Sequence, residues 1–314
     1  LSRENNVCFG EGGAGTFSDG KLTTRIKDPH AKSALKLLNE HGASDSVLYN
    51  TKAHVGTDVI RKTVVSMRNE IIRMGGEVFF DTKLTDIEIK SGGLKSISVK
   101  NAEKTYKIDT NCLVLAIGHS ARDTYEMLLK RGVYMEPKSF AVGMRAEHKR
   151  SVIDESQYGN AEYSKILGAA DYKLNVKLPD GTSAYTFCMC PGGYVVAAAS
   201  EEGGVVTNGM SNCARDGQNA NAALLVTLNP EDFPDKGTLG GVRYQQQLER
   251  AAFAAGGKNY HAPAQLVGDF LAHRPSTALG SVQPTYRPGV TLCDLHEVLP
   301  ERITKVLENA LPEL

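Results

Sequence analysis

Five of the fourteen residues in segment 9–22 are glycine: Gly10, Gly12, Gly13, Gly15 and Gly20. A stretch with so few side chains cannot bury a core face, so it must be a loop whose shape is set by what its backbone touches. Gly10, Gly12 and Gly15 spell G-x-G-x-x-G. A dinucleotide fingerprint also needs a strand before it, a helix after it and an acid about 20 positions on. Here only Val7-Cys8-Phe9 precedes, Ser18-Asp19-Gly20 follows as a turn, and no strand ends in an acid near residue 30. The stretch from Gly15 to Lys21 approaches a phosphate-binding G-x-x-x-x-G-K, but Leu22 stands where Ser or Thr would hold Mg²⁺. The preferred reading is a loop of main-chain donors lying against a phosphate or a ring, with Ser18 adding a hydroxyl and Lys21 and Arg25 positive charge. A tight surface turn is the alternative.

The 314 residues amount to one large domain or two ordinary ones. Lys+Arg and Asp+Glu both number 36, so the basic excess of a nucleic-acid-coating protein is absent and no nucleic-acid partner is expected. The longest uncharged stretch, 185–200, is broken by Pro191, Gly192 and Gly193 and is too short to span a bilayer, so no membrane partner is expected either. Six scattered cysteines with no preceding signal peptide fit a reduced, cytoplasmic setting. The chain starts without Met and stops within a helical pattern (Ile303, Val306, Leu307, Ala310), which predicts an internal fragment of a longer protein.

Asp28-Pro29 reads as an N-cap and first-turn proline for a helix carrying Leu35 and Leu38 and ending near Gly42. Over 57–74, Ile60, Val64, Met67, Ile71 and Met74 recur at helical spacing, with Gly75-Gly76 as the stop. A strand at Val78-Phe79-Phe80 is followed by a meander through Leu84, Ile87, Ile89, Ile97 and Val99, turning at Gly92-Gly93. Cys112-Leu113-Val114-Leu115-Ala116-Ile117 is continuously apolar, like a parallel strand buried on both faces. Ser120 and Asp123 then read as a capping box for a helix ending at Gly132. From 133 onward, short strand-like runs at 140–145, 172–178, 183–190, 194–198, 205–208 and 224–228 predict a mostly antiparallel second domain, with helices near 241–255, 264–272 and 298–311.

Three strings carry a resemblance. They are Gly10-Glu11-Gly12-Gly13-Ala14-Gly15-Thr16-Phe17-Ser18-Asp19-Gly20-Lys21-Leu22, Gly118-His119-Ser120-Ala121-Arg122-Asp123, and Phe187-Cys188-Met189-Cys190-Pro191-Gly192-Gly193 with Ser200-Glu201-Glu202-Gly203 after it. Together they resemble the signature of an uncharacterised bacterial family of FAD-dependent dehydrogenases, through nearly the whole chain. That family is similar to glutathione-reductase-like flavoproteins in its FAD domain. The resemblance implies an α/β fold: a partial FAD-binding, Rossmann-like domain over 1–132 and a β-rich substrate or cap domain over 133–314. It implies FAD as cofactor of the parent protein, with the backbone near Val78 against the adenine and Ala116 and Gly118 near the pyrophosphate. Gly118 also reads as a simple strand-to-helix turn.

The function expected is FAD-dependent oxidoreduction, a hydride passing between a small-molecule substrate and the flavin. A non-catalytic nucleotide- or ligand-binding module, or a flavoprotein that modifies a macromolecule, are the alternatives. No catalytic residue, oligomeric state or metal site is assigned. His119 is a candidate for a hydrogen bond to FAD or for satisfying a turn. On a strand, Cys188 and Cys190 would share a face. With Gly192 and Gly193 they are the candidate substrate-pocket lining, although two small residues buried under a Pro-Gly-Gly turn is the plainer account. His148, beside Arg145 and Glu147, reads as part of a solvated charged strand end.

Overall fold

The computed structural model describes residues 4, 6–17, 20–22, 28–50 and 54–314. A 3₁₀ turn, Gly13–Phe17, lies within the glycine-rich loop. Helix α1 (Pro29–Glu40) is capped by the Asp28 carboxylate, which accepts from the His30 backbone N–H. The short α2 (Ser46–Tyr49) and the long α3 (Thr57–Arg73) follow. Ala43, Val47, Val55 and Ile60 form a small core here, with Leu22, Leu38 and Val64 against it. Only the first half of the α3 stripe is covered, because Ile71 and Met74 are exposed.

Strands β1 (Lys83–Lys90), β2 (Gly93–Lys100) and β3 (Thr105–Asp109) make the expected antiparallel meander. Two expected strands around it are corrected. Residues 78–80 and 112–117 form no strand: Phe79 is 57% exposed and Val114 84%. A strand of a parallel sheet exists only when neighbours accept and donate its backbone hydrogen bonds, and among the described residues none does so for these segments. The doubly wound sheet of a Rossmann-like domain is therefore not formed among them. Helix α4 (Arg122–Lys130) begins at an Ala121 N-cap without a side-chain cap, so the Ser120/Asp123 capping box is also corrected. Asp123 instead pairs with Lys83 across to β1.

The remaining elements build the larger core. They are β4 (Phe140–Lys149), α5 (Arg150–Tyr158), α6 (Ser164–Leu167), β5 (Asn175–Lys177), β6 (Ser183–Cys190), β7 (Tyr194–Ala197), β8 (Thr207–Met210) and β9 (Asn219–Leu228), then α7 (Gly240–Ala255), β10 (Ala262–Ala264), α8 (Val267–Leu271), β11 (Val290–Leu292) and α9 (Glu301–Ala310). Four of the strands form an antiparallel sheet in the order β4-β9-β6-β5, β7 pairs with β8, and β10 with β11 is the one parallel pair among the described residues. Central β9 is buried along nearly its whole length. On one face α9 inserts Ile303, Val306, Leu307 and Ala310 beneath Leu224, Val226 and Leu228, with Phe233 and Phe270 at the edge. Further along the same face, Met189, Ala220 and Ala222 pack against Ile153 of α5 and Tyr172. Among the described residues no helix is long and apolar enough to cross a membrane.

Candidate functional site

The glycine-rich loop lies across the β-rich part rather than apart from it. The Cys8 thiol donates to the Ala198 carbonyl at 3.2 Å, and burial pushes that thiol's pKa up, with a bond to Ser120 opposing the shift. The Lys21 ammonium donates to the Met189 carbonyl inside β6. Gly12 packs on Thr16 and Val64 of α3, and Gly20 on the Gly56 backbone. Gly10, Gly13 and Gly15 face open space. Ser18 and Asp19 lie outside the described residues.

Phe9 reaches a pocket shared with Glu4, Ser120, Arg122, Asp123, Ser200 and Glu201. Segments 9–22, 118–123 and 200–203 thus meet in one place, although nearly two hundred positions separate their ends. Arg122 holds the junction. Its guanidinium forms a two-bond fork with the Glu249 carboxylate of α7 (2.9 and 2.5 Å) and reaches Glu201 at 3.1 Å, all three side chains being largely buried. Planar charge-assisted forks of this kind fix both distance and orientation. Gln246 donates to Glu201 from the same helix, and Gln245 to the His119 ring at 3.2 Å. Desolvation, and then the Arg122 cation, hold the His119 pKa below its ordinary value. Gly118 is exposed at φ +72°, with nothing within 4 Å of where a Cβ would stand, and its carbonyl accepts from the Tyr125 hydroxyl at 2.5 Å. Val78 and Ala116 are exposed, on the unpaired segments described above.

A second cluster surrounds Arg145 of β4. Its Nη1 donates to the Asn221 carbonyl oxygen at 2.8 Å and its Nη2 to that of Asn208 at 3.2 Å. Among the described residues no carboxylate pairs with it, and its Nε and the Asn221 Nδ2 are buried donors with no acceptor. Burial lowers its pKa, and the Cys190 and Cys188 thiols are the main opposing influence. The backbone of Gly209 closes the cluster. A Cβ there would lie 2.7 Å from Arg145 Nη1 and 2.9 Å from Cys190 Sγ, so only glycine permits the approach. The solvated charged strand end expected at 145–148 is corrected, because Arg145 points into protein rather than water.

The shared face expected for Cys188 and Cys190 is corrected as well. A bulge interrupts β6 opposite β9 between Phe187 and Cys190, and Cys188 takes φ +48°, breaking the period-two alternation. Cys190 is fully buried and Cys188 partly so. Gly192 and Gly193 are buried with their backbones tight against the Arg215 and Met210 carbonyls.

His148 is half-buried, with Nε2 at 2.8 Å from the Tyr172 hydroxyl and Nδ1 at 3.4 Å from the Lys149 carbonyl. The Lys149 carbonyl can only accept, which assigns the neutral imidazole its proton on Nδ1 and leaves Nε2 to accept from the Tyr172 hydroxyl, whose pKa burial pushes up to about 12. Burial likewise lowers the His148 pKa in the folded chain. Between that value and the unfolded value of about 6.5, the unfolded chain binds the extra proton. The contribution is therefore intact above about pH 6.5 and is lost as pH falls, by at most about 1.4 kcal/mol per pH unit. Urea midpoints between about pH 7 and 5 should fall less steeply for His148→Gln than for the unsubstituted chain; parallel curves would contradict the assignment.

The family described as FAD-dependent protein, C-terminal domain-like, matches residues 139–314, and the chain belongs to that family. It is also 51% identical over 314 residues to an uncharacterized protein of Clostridium beijerinckii (strain ATCC 51743 / NCIMB 8052). That match covers 99% of this chain and 58% of the length of the curated relative.

FAD presents a pyrophosphate and several ring acceptors, and the residues here fit such a group. The open, positive-φ backbone at Gly118 lets main chain approach an anion closely. Arg145 Nε and Asn221 Nδ2 are donors that burial leaves costly to strand, at roughly 1–3 kcal/mol each without an acceptor.

Proposed function

We propose that this chain contributes the glycine-rich loop and the β-rich cap of a FAD-dependent oxidoreductase acting on a small-molecule substrate. In this reading residues 1–132 are part of the FAD-binding region and 133–314 form the substrate-side domain. Gly10, Gly12, Gly13 and Gly15, with Gly118 and Ser120, hold the nucleotide end, and the unpaired apolar segments 78–80 and 112–117 take strand positions against chain belonging to the longer protein. The observation that carries the reading is the meeting of Phe9, Ser120 and Ser200 around one small crevice, which brings residues of the three resembling strings side by side. Bound FAD supplies hydride transfer; the protein supplies position, field and exclusion of water. Arg122, held by Glu201 and Glu249, ties segment 118–123 to 200–203 and to α7. Arg145 and Asn221 offer N–H donors to an anionic or carbonyl acceptor. The buried thiol of Cys190 packs beside Arg145.

The test uses a protein of the relative's full length, with FAD per chain measured from the flavin released on denaturation. The unsubstituted protein should carry FAD. Gly118→Val, strained at φ +72° but free of steric contact, should lower occupancy severalfold while costing the FAD-free protein no more than about 1–3 kcal/mol of stability and leaving it cooperatively folded. A colourless protein that takes up no added FAD removes the reading. One that binds ADP but not FAD reduces it to a nucleotide-binding module.

A further inference from the structure

Far from the pocket, three elements bring two imidazoles and a carboxylate together. His273 follows α8, His296 lies in the 3₁₀ turn Leu295–Glu297 after β11, and Glu308 projects from α9. One ring nitrogen from each histidine and a Glu308 carboxylate oxygen all lie within 4.8 Å of one another. His296 Nε2 is 2.6 Å from Glu308 Oε1, and His273 Nε2 is 3.6 Å from Glu308 Oε2. Ligand atoms on one tetrahedral zinc stand about 3.3 Å apart, given metal–ligand bonds of about 2.0–2.1 Å. The observed separations bracket that value, and His273, whose side chain is 63% exposed, is free to close the difference.

The support around the cluster is an independent observation. His296 Nδ1 lies 2.6 Å from Asp294 Oδ1, while the same oxygen accepts the His296 backbone N–H at 3.0 Å. That carboxylate turns the ring so that Nε2 faces Glu308. A carboxylate on the far nitrogen of an imidazole is how metal-binding histidines are usually oriented and made more basic. The ring also stacks on Phe270 at 4.4 Å, while His273 stacks on it at 4.5 Å and turns off that stack to bring its Nε2 to the shared ion. Glu308 and Asp294 together supply the two negative charges that balance a divalent ion on two neutral imidazoles. Two nitrogen donors select against Mg²⁺ and Ca²⁺, which take oxygen ligands.

We propose that His273, His296 and Glu308 form a three-ligand site for a divalent transition ion, with Zn²⁺ the best match and one position open toward solvent. The proposal is independent of the cofactor reading, since neither residue set touches the other. The test is calorimetric titration of the EDTA-treated chain with ZnCl₂ alone, paired with melting curves. One Zn²⁺ per chain should bind and raise the melting temperature. His273→Ala and Glu308→Gln should each weaken binding at least tenfold, and Asp294→Asn about tenfold through the lost orientation of His296. A Cys112→Ser/Cys213→Ser chain, without the two exposed thiols, should bind as the unsubstituted chain does. Absence of binding overturns the proposal. So does affinity unchanged in His273→Ala, or affinity lost with the two cysteines.

Discussion

Replacing Arg122 by alanine should cost about 3–5 kcal/mol of folding stability, because it strands the Glu249 and Glu201 carboxylates in a largely buried place without their cation. The Arg122 side chain is only 5% exposed and Glu249 14%, so water cannot replace the lost partner. The comparison that isolates the cause is a double-mutant cycle by urea unfolding. Arg122→Ala combined with Glu249→Ala should be less destabilised than the sum of the two single changes, since the stranded charge is gone. Arg122→Lys keeps the charge but not the planar fork, and should lose less than Arg122→Ala does. If Arg122→Ala costs under about 1 kcal/mol, the network behaves like an exposed ion pair and does not hold segment 118–123 against 200–203 and α7.

Leu307→Ala should cost about 2–5 kcal/mol, the range for truncating a fully buried leucine in a core that only partly collapses around the gap. Leu307 is wholly buried on α9, beneath the strands of the four-stranded sheet. Leu307→Met, which conserves volume, should stay within about 1.5 kcal/mol of the unsubstituted chain. A midpoint shift with an unchanged dependence on urea would show lost packing rather than an altered denatured state. Since α9 also carries Glu308, Leu307→Ala should be compared at matched folded fraction before any zinc titration.

Much of the chain could be read from its pattern. The α3 helix, the meander around Gly92, the Asp28 cap and the antiparallel strands after residue 139 all follow from periodicity and turn residues. Strand β9 was legible only in its second half, at 224–228, because Asn219, Ala220, Asn221 and Ala222 have weak strand preference and are recruited by the neighbours on either side. The apolar run 112–117 misled for the converse reason. Hydrophobicity shows that a segment wants cover, but strand formation needs a hydrogen-bonding neighbour, and pattern alone does not say whether one is present. Arg122 and Glu201 were both visible, in two strings already singled out, yet nothing in either string paired them.

Local order was readable because a cap, a turn or a helical stripe depends on residues a few positions away, and short-range sterics and hydrogen bonding act on the chain wherever it goes. Which of the candidate side chains meet was decided by the path of the folded chain. Arg122 meets Glu249 across 127 positions. Arg145 is left without a carboxylate among the described residues by the strands packed around it. His273, His296 and Glu308 converge because α8, the turn after β11 and α9 end side by side. Charge, burial and ligand geometry are properties of such meetings, and they come into being only when the core beneath them has packed.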